Sequence, residues 1–411
     1  MYFYIETLGC KVNAYESNFI KKTMLENGFF YTDKIIKADI IIVNTCTVTN
    51  NADSKCRKLI RKLKRENGNA IFAVLGCSVQ NNLESYKEMN IPILLGNSKK
   101  SEIANIIKNY IDTKENYHYI FENRDLAFED MIINDFNHTR AFIKIEDGCD
   151  NFCTYCIIPF IRGKCRSKDF EQIIKEANDL VKNGHQEIVL TGIHTGAYNN
   201  NGHDLVDVIK ELAKINELKR IRLSSVEITE LNDKFMDMLK DTPKFCDHLH
   251  IPLQAGSNEI LEKMHRKYNL NYFENKIKEI RNIRPLIAIT TDIIVGFPEE
   301  TDEMFLSTYE FSKKIAFSKI HVFPYSKRDG TVASKMEQVD NSVKTKRVQK
   351  LLELSNMLEC EYENKFINKE VEVLIEEVKE NESTGHTSNY LKVSIKESLN
   401  KNTMVRTIYK R

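Results

Sequence analysis

No tryptophan occurs in the 411 residues, and that absence excludes no function. The lack of net charge excludes more. With 60 basic and 59 acidic residues the chain stands at +1, so nothing pulls it toward nucleic acid as a whole, and any such binding must come from local patches. No apolar run approaches the ~20 residues needed to span a bilayer. No apolar leader opens the chain either: Met1 to Cys10 reads as a strand, and Lys21 and Lys22 follow in a helix. A soluble, cytoplasmic protein with no membrane partner is expected. The length suggests two or three domains, enough for several cores.

Cysteine is what the chain has. Ten cysteines in a reducing compartment suggest metal or redox use rather than disulfides. Cys149, Cys153 and Cys156 form a C-x3-C-x2-C cluster in the stretch Gly148-Cys149-Asp150-Asn151-Phe152-Cys153-Thr154-Tyr155-Cys156. Three ligands are one short of a closed zinc site and one short of the four thiolates that usually hold an iron–sulfur cubane. An open metal position marks chemistry rather than structure. The competing reading is a zinc knuckle whose fourth ligand is Cys165 or His194.

The chain reads as α/β throughout. Residues 1–115 alternate strands near 2–8, 38–44, 70–76 and 91–95 with helices near 14–28, 52–66 and 101–113. Continuous apolar runs of strand length imply a parallel sheet, flavodoxin-like or Rossmann-like. Cys10, Cys46 and Cys77 each follow the carboxyl end of a strand, on the edge where open sheets bind ligands. Any one alone would pass as a small buried hydrophobe. Three at equivalent places favour a second cluster with an open iron. Cys56 reads as a bystander in a basic helix. Residues 55–65 carry seven Lys or Arg (55, 57, 58, 61, 62, 64, 65) and no acid, so the segment is either a solvated face or a phosphate-contacting patch.

Residues 116–138 read as a linker. Between 139 and 340, strands at 140–146, 187–191, 220–224, 248–252, 287–293 and 318–323 alternate with helices, which predicts a partial (β/α)6 barrel of the TIM kind. Cys149, Thr191-Gly192, Ser224-Ser225, Gln254 and Gly296 fall at the active edge. Residues 341–365 read as a connecting helix in which Cys360 is inert. Residues 366–411 form a small β domain, with strands at 369–378, 390–395 and 403–408. Basic and acidic residues number nine each from Glu361 to Arg411, unlike a strong phosphate binder.

The cysteine loop leading a partial barrel resembles the radical S-adenosylmethionine (SAM) superfamily. The words Thr7-Leu8-Gly9-Cys10-Lys11-Val12-Asn13, Asn44-Thr45-Cys46-Thr47-Val48-Thr49, Leu190-Thr191-Gly192-Ile193-His194-Thr195-Gly196, His250-Ile251-Pro252-Leu253-Gln254-Ala255-Gly256-Ser257, Gly296-Phe297-Pro298 and Phe323-Pro324-Tyr325-Ser326 resemble those of its methylthiotransferases, most of all the MtaB type. The likeness runs from Met1 to about Arg347.

That resemblance implies two [4Fe-4S] clusters. Cys149, Cys153 and Cys156 would hold the radical-generating one, and Cys10, Cys46 and Cys77 the auxiliary one. It implies SAM as cofactor and transfer of a methylthio group to C2 of N6-threonylcarbamoyladenosine at position 37 in a tRNA anticodon loop. That carbon bears a C–H without useful acidity, so radical chemistry is needed. An electron donor and a sulfur donor would be partners. Tyr155 would contact the SAM adenine, and Gly192, Ser225 and Gln254 its methionine and ribose, unless these are ordinary rim-packing residues. Arg162, Lys164 and Arg166 would meet tRNA phosphates or the threonyl carboxylate, or be solvated. By position the last domain resembles the family's tRNA-binding TRAM module, a small β-barrel. The neighbouring activities, on isopentenyladenosine or on a ribosomal-protein aspartate, and a non-catalytic metal-stabilised RNA-binding protein are the alternatives.

Overall fold

A computed structural model describes residues 1–410. The first unit is a six-stranded parallel sheet built from β1 (Tyr2–Thr7), β2 (Phe30–Tyr31), β3 (Ile40–Thr45), β4 (Ile71–Gly76), β5 (Ile93–Leu95) and β6 (Tyr117–Tyr119), in the order β2-β1-β3-β4-β5-β6. Of the two expected topologies this is the flavodoxin-like one, extended by β6. Every residue of β3 is buried, as its unbroken apolar run requires in a strand covered on both faces by helices. The covering helices include α1 (Lys11–Glu26), α2 (Asn50–Glu66), the short α3 (Cys77–Asn81) and α4 (Ile103–Thr113).

The stretch read as a linker is tied down. Tyr117–Tyr119 pairs with β5, and Met131, Ile133 and Phe136 are buried in the core of the next unit. Their spacing has no helical or strand period because most of this backbone is irregular, so the sequence carries no pattern to find.

Six parallel strands follow: β7 (Arg140–Lys144), β8 (Glu187–Thr191), β9 (Arg220–Leu223), β10 (His248–His250), β11 (Ala288–Val295) and β12 (Lys319–Pro324). They pair as two three-stranded sheets, β9-β8-β7 and β10-β11-β12, with Ile221 bridging to Phe245 across the seam. This is the partial barrel. One set of alternate residues (Ile188, Leu190, Ile221, Leu223, Ile289, Ile293) packs into the largest apolar core. The opposite set faces the barrel interior and is polar: Lys144, Glu187, Arg222, His250, Asp292 and His321.

The first unit closes the open side of this arc. Helix α1 lies along β7. On the other flank Arg328, just beyond β12, donates to Asp53 at 2.8 Å and to Thr47 at 2.6 Å. The cysteine-bearing sheet edge is thereby held across the barrel.

A long helix, α5 (Asn341–Asn364), leads to an antiparallel sheet of β13 (Glu370–Lys379), β14 (Glu382–Thr387), β15 (Lys392–Ile395) and β16 (Met404–Ile408), ordered β15-β14-β13-β16. The sequence reading missed β14, because Glu-Ser-Thr-Gly-His-Thr has no apolar alternation. Its Gly385 has no room for a side chain, since a Cβ would lie 1.9 Å from the Leu374 carbonyl oxygen. This sheet plugs the amino-terminal end of the barrel. Arg220 donates to the carbonyls of Glu372 (2.7 Å) and His386 (3.0 Å), and Arg222 to those of Thr387 (3.2 Å) and Ser388 (3.0 Å).

Candidate active site

Cys10, Cys46 and Cys77 meet at the carboxyl edge of the first sheet. Cys46 directly follows β3, Cys10 caps α1, and Cys77 opens α3. Helix amino-termini favour negative charge there, and the thiolate is the metal-binding form. Gly9 makes the approach possible. It has φ +124°, and a Cβ there would lie 2.9 Å from the Cβ of Cys46. Burial pushes the Cys46 thiol up to about 12. Counter-charge is built in behind them. The Arg162 Nε donates to Cys77 Sγ at 3.3 Å, and Asn97 donates to the same sulfur at 3.4 Å. Arg162 belongs to a buried network in which Lys100, Lys144, Arg162 and Arg166 surround the carboxylates of Glu16 and Asp147. Cations outnumber anions, which suits thiolates at the edge of the network.

One sequence reading is corrected here. Arg162 is 1% exposed and bonded to Cys77, Glu16 (3.0 Å), Asp147 (3.1 Å) and Asn13 (2.9 Å), so it reaches neither phosphate nor substrate. The buried partners that hold it lie up to 149 residues away in sequence. Cys56, read as a bystander, lies beside the Cys46 loop: its buried thiol donates to the Cys46 carbonyl at 3.4 Å and is pushed up to about 11 by burial. Lys164 is exposed beside Asp125, while Arg166 pairs with Asp147 at 2.9 Å.

Cys149, Cys153 and Cys156 sit in the loop after β7. Burial pushes Cys156 up to about 12. Arg266 donates to Cys153 Sγ at 3.4 Å and pairs with Glu227. His194 lies 3.8 Å from Cys165 and pairs with Glu230. Burial opposes its charge, but these bonds outweigh it and raise its pKa. Each triad offers three thiols beside an arginine, a donor set that fits three corners of a cubane and leaves the fourth iron free.

A cavity of about 950 Å³ fills the barrel interior. It runs from Gly9 and Lys11, flanking Cys10, past His250 and Asp292 to Tyr390 of the tail sheet. A narrower apolar slot of about 200 Å³ adjoins it, lined by Val48 and Thr49 from the Cys46 loop and by Tyr155 and Cys156 from the other. The two spaces share Asp292 and Phe323. The slot by itself touches both cysteine loops, and the larger cavity lies next to it.

Tyr155 lines the slot, its ring edge-on to Phe297 at 6.5 Å. Gly192 packs against Glu146, where a Cβ would lie 2.9 Å from the carboxylate. Gln254 has φ +68° and bridges to Ile293 beside Asp292. Ser225 is half-buried just past β9, and its neighbour Ser224 lines the cavity. Sequence reasoning missed Lys11, Glu146, His250, Arg266, Asp292 and His321. The signal for two of them was present: polar residues at every second position within otherwise apolar strands, as in His248-Leu249-His250 and at His321 between Ile320 and Val322.

A radical SAM superfamily profile matches residues 143–312, and that of the Uncharacterized protein family UPF0004 matches residues 2–96. The chain is 41% identical over 405 residues to the threonylcarbamoyladenosine tRNA methylthiotransferase MtaB of Bacillus subtilis, covering 95% of this chain and 89% of that protein. It is 36% identical over 399 residues to a tRNA-2-methylthio-N6-dimethylallyladenosine synthase of Thermoanaerobacter sp. (strain X514), covering 94% and 85%. The radical SAM methyltransferase TsrM from Kitasatospora setae superimposes with a TM-score of 0.61 at 14% identity, covering 81% of this chain and 77% of that one, a likeness of fold alone. A radical SAM domain brings with it SAM and a [4Fe-4S] cluster. Identity at that level, sustained over nearly the whole length, makes this chain a member of the radical SAM methylthiotransferase family, of the MtaB type.

Proposed function

We propose that the chain replaces the C2 hydrogen of N6-threonylcarbamoyladenosine 37 in tRNA by a methylthio group. The carrying observation is the slot lined by both cysteine loops, because sulfur insertion needs the hydrogen-abstracting and sulfur-bearing sites to reach one carbon. The names of the B. subtilis relative and of a second MtaB protein, from Aquifex aeolicus, support the substrate. When bound, SAM and two [4Fe-4S] clusters, on Cys149/Cys153/Cys156 and Cys10/Cys46/Cys77, supply hydrogen abstraction, sulfur and methyl.

The protein's share is placement and exclusion of water. Tyr155 and the apolar slot accept a flat ring. Arg266, fixed by Glu227, puts positive charge beside the Cys153 loop, where it would favour an anionic methionine end. Arg162 does the same for Cys77. The tail sheet closes the far end of the barrel. The exposed basic face of α2 receives tRNA phosphates, and an unstacked anticodon-loop base enters the cavity. An electron donor and a sulfur donor complete the partners, and the working compartment is the cytoplasm, where tRNA is modified. Among the described residues no helix is long and apolar enough to cross a membrane.

Nucleoside analysis of tRNA from a deletion strain tests the assignment. The 2-methylthio derivative of threonylcarbamoyladenosine should vanish and its unmethylthiolated precursor accumulate. Loss of methylthio-isopentenyladenosine instead would move the substrate to that of the dimethylallyl relatives. An unchanged tRNA would sink both.

A further inference from the structure

We propose that Lys11 binds the carboxylate of the substrate's threonyl group, and that its charge fits the cavity to threonylcarbamoyladenosine rather than to an adenosine with an apolar substituent. This rests on the proposed function and adds a residue that decides specificity.

Lys11 is the first residue of α1, directly after Cys10, and its side chain lines the barrel cavity. Among the described residues it has neither a hydrogen bond nor an ion pair to a carboxylate. The cations around it are already matched: Arg140 with Glu376 at 3.1 Å, Arg222 with Glu187 at 2.6 Å, and Lys319 with Glu359 at 2.8 Å. His248 and His321 add no anion. The ammonium thus stands half-buried among cations, beside the Tyr390 hydroxyl that accepts from Arg140 at 2.7 Å. Positive charge without a counter-ion in a cavity is costly, and a carboxylate ligand relieves it with a charge-assisted bond.

The same cavity also offers an acceptor. Asp292 lies 3.4 Å from His250, and their ligand atoms and that of His321 fall within 4.8 Å of one another. Asp292 repels a carboxylate but accepts from a hydroxyl or urea N–H. A ligand that gives a carboxylate to Lys11 and a hydroxyl or urea N–H to Asp292 matches a threonylcarbamoyl group.

The test uses the cluster-loaded full chain and anticodon stem–loop RNAs carrying threonylcarbamoyladenosine or its methyl ester, which lacks the negative charge. Wild type should bind the acid about 10- to 100-fold tighter than the ester. Lys11→Met should bind both at the ester's affinity, and Lys11→Arg should keep most of the preference. Iron content verifies that each variant is loaded, since Lys11 adjoins Cys10. A wild-type ratio near one, or a full preference kept by Lys11→Met, overturns the inference even if the acid RNA is methylthiolated. A wild type that modifies only dimethylallyl RNA overturns the function itself.

Discussion

Arg162 shows how much one buried side chain can organise. It spans the boundary between the first sheet and the barrel, donating to Glu16 and Asn13 on one side and Asp147 on the other, with Cys77 Sγ on its Nε. Removing one partner from a buried charge group leaves the others uncompensated, a loss of about 3–5 kcal/mol. Arg162→Met should therefore lower denaturant stability by that order in the metal-free protein. Arg162→Lys should fall between, since lysine keeps the charge but loses the fork. A change below about 1 kcal/mol would show that the network is not a structural hinge.

Glu146 offers a pH signature. Fully buried, it accepts backbone N–H bonds from Ile193 (2.9 Å) and His194 (2.6 Å), but burial prevails and pushes its carboxyl up to about 8. Between the ordinary carboxyl range and about pH 8 the folded chain keeps a proton that the unfolded chain releases. Its contribution to stability is full at acid pH and is lost as pH rises through about 8. Wild type should thus lose stability relative to Glu146→Gln by up to ~1.4 kcal/mol per pH unit between pH 5 and 8. Parallel curves for the two proteins would refute the shift.

At the scale of elements, α2 separates its two roles by face. Asp53, Cys56, Ile60 and Leu63 are buried, while Lys55, Lys58, Arg61, Lys62 and Arg65 are exposed. Lys64 is spent on the Met89 and Asn90 carbonyls. Of the two sequence readings, a solvated face and a phosphate patch, the geometry keeps the basic stripe on one side of the sheet edge that bears the cysteines. Substituting Lys55, Lys58, Arg61 and Arg65 by alanine should weaken tRNA binding and shrink the salt slope by about 0.9 for each phosphate no longer neutralised. An unchanged slope would leave the stripe as a solvated face.

At the scale of the whole molecule, the chain bends one sheet edge over the open side of a partial barrel and plugs the other end with its tail. Metal content reads this arrangement directly. After anaerobic reconstitution, wild type should hold about eight irons, and a Cys149/Cys153/Cys156→Ala variant about four. If wild type held four and the variant none, the cysteines of the first sheet would be structural and methylthiolation would have to be given up.

Local information was enough for β3, β4 and the barrel strands and for placing Cys10, Cys46 and Cys77 at strand ends, but not for β6 or β14. Apolar runs set β3 and β4, alternation set the barrel strands, and the cysteines follow strand ends that backbone geometry places on one edge. What stayed illegible depended on partners distant in sequence. Arg162 looks like a surface cation until Glu16 and Asp147 bury it. Lys11 looks like any helix-opening lysine until the barrel encloses it without a counter-ion. A side chain's type is local, but its burial, charge balance and company are properties of long-range packing, so only the tertiary structure decided which of these residues can do chemistry.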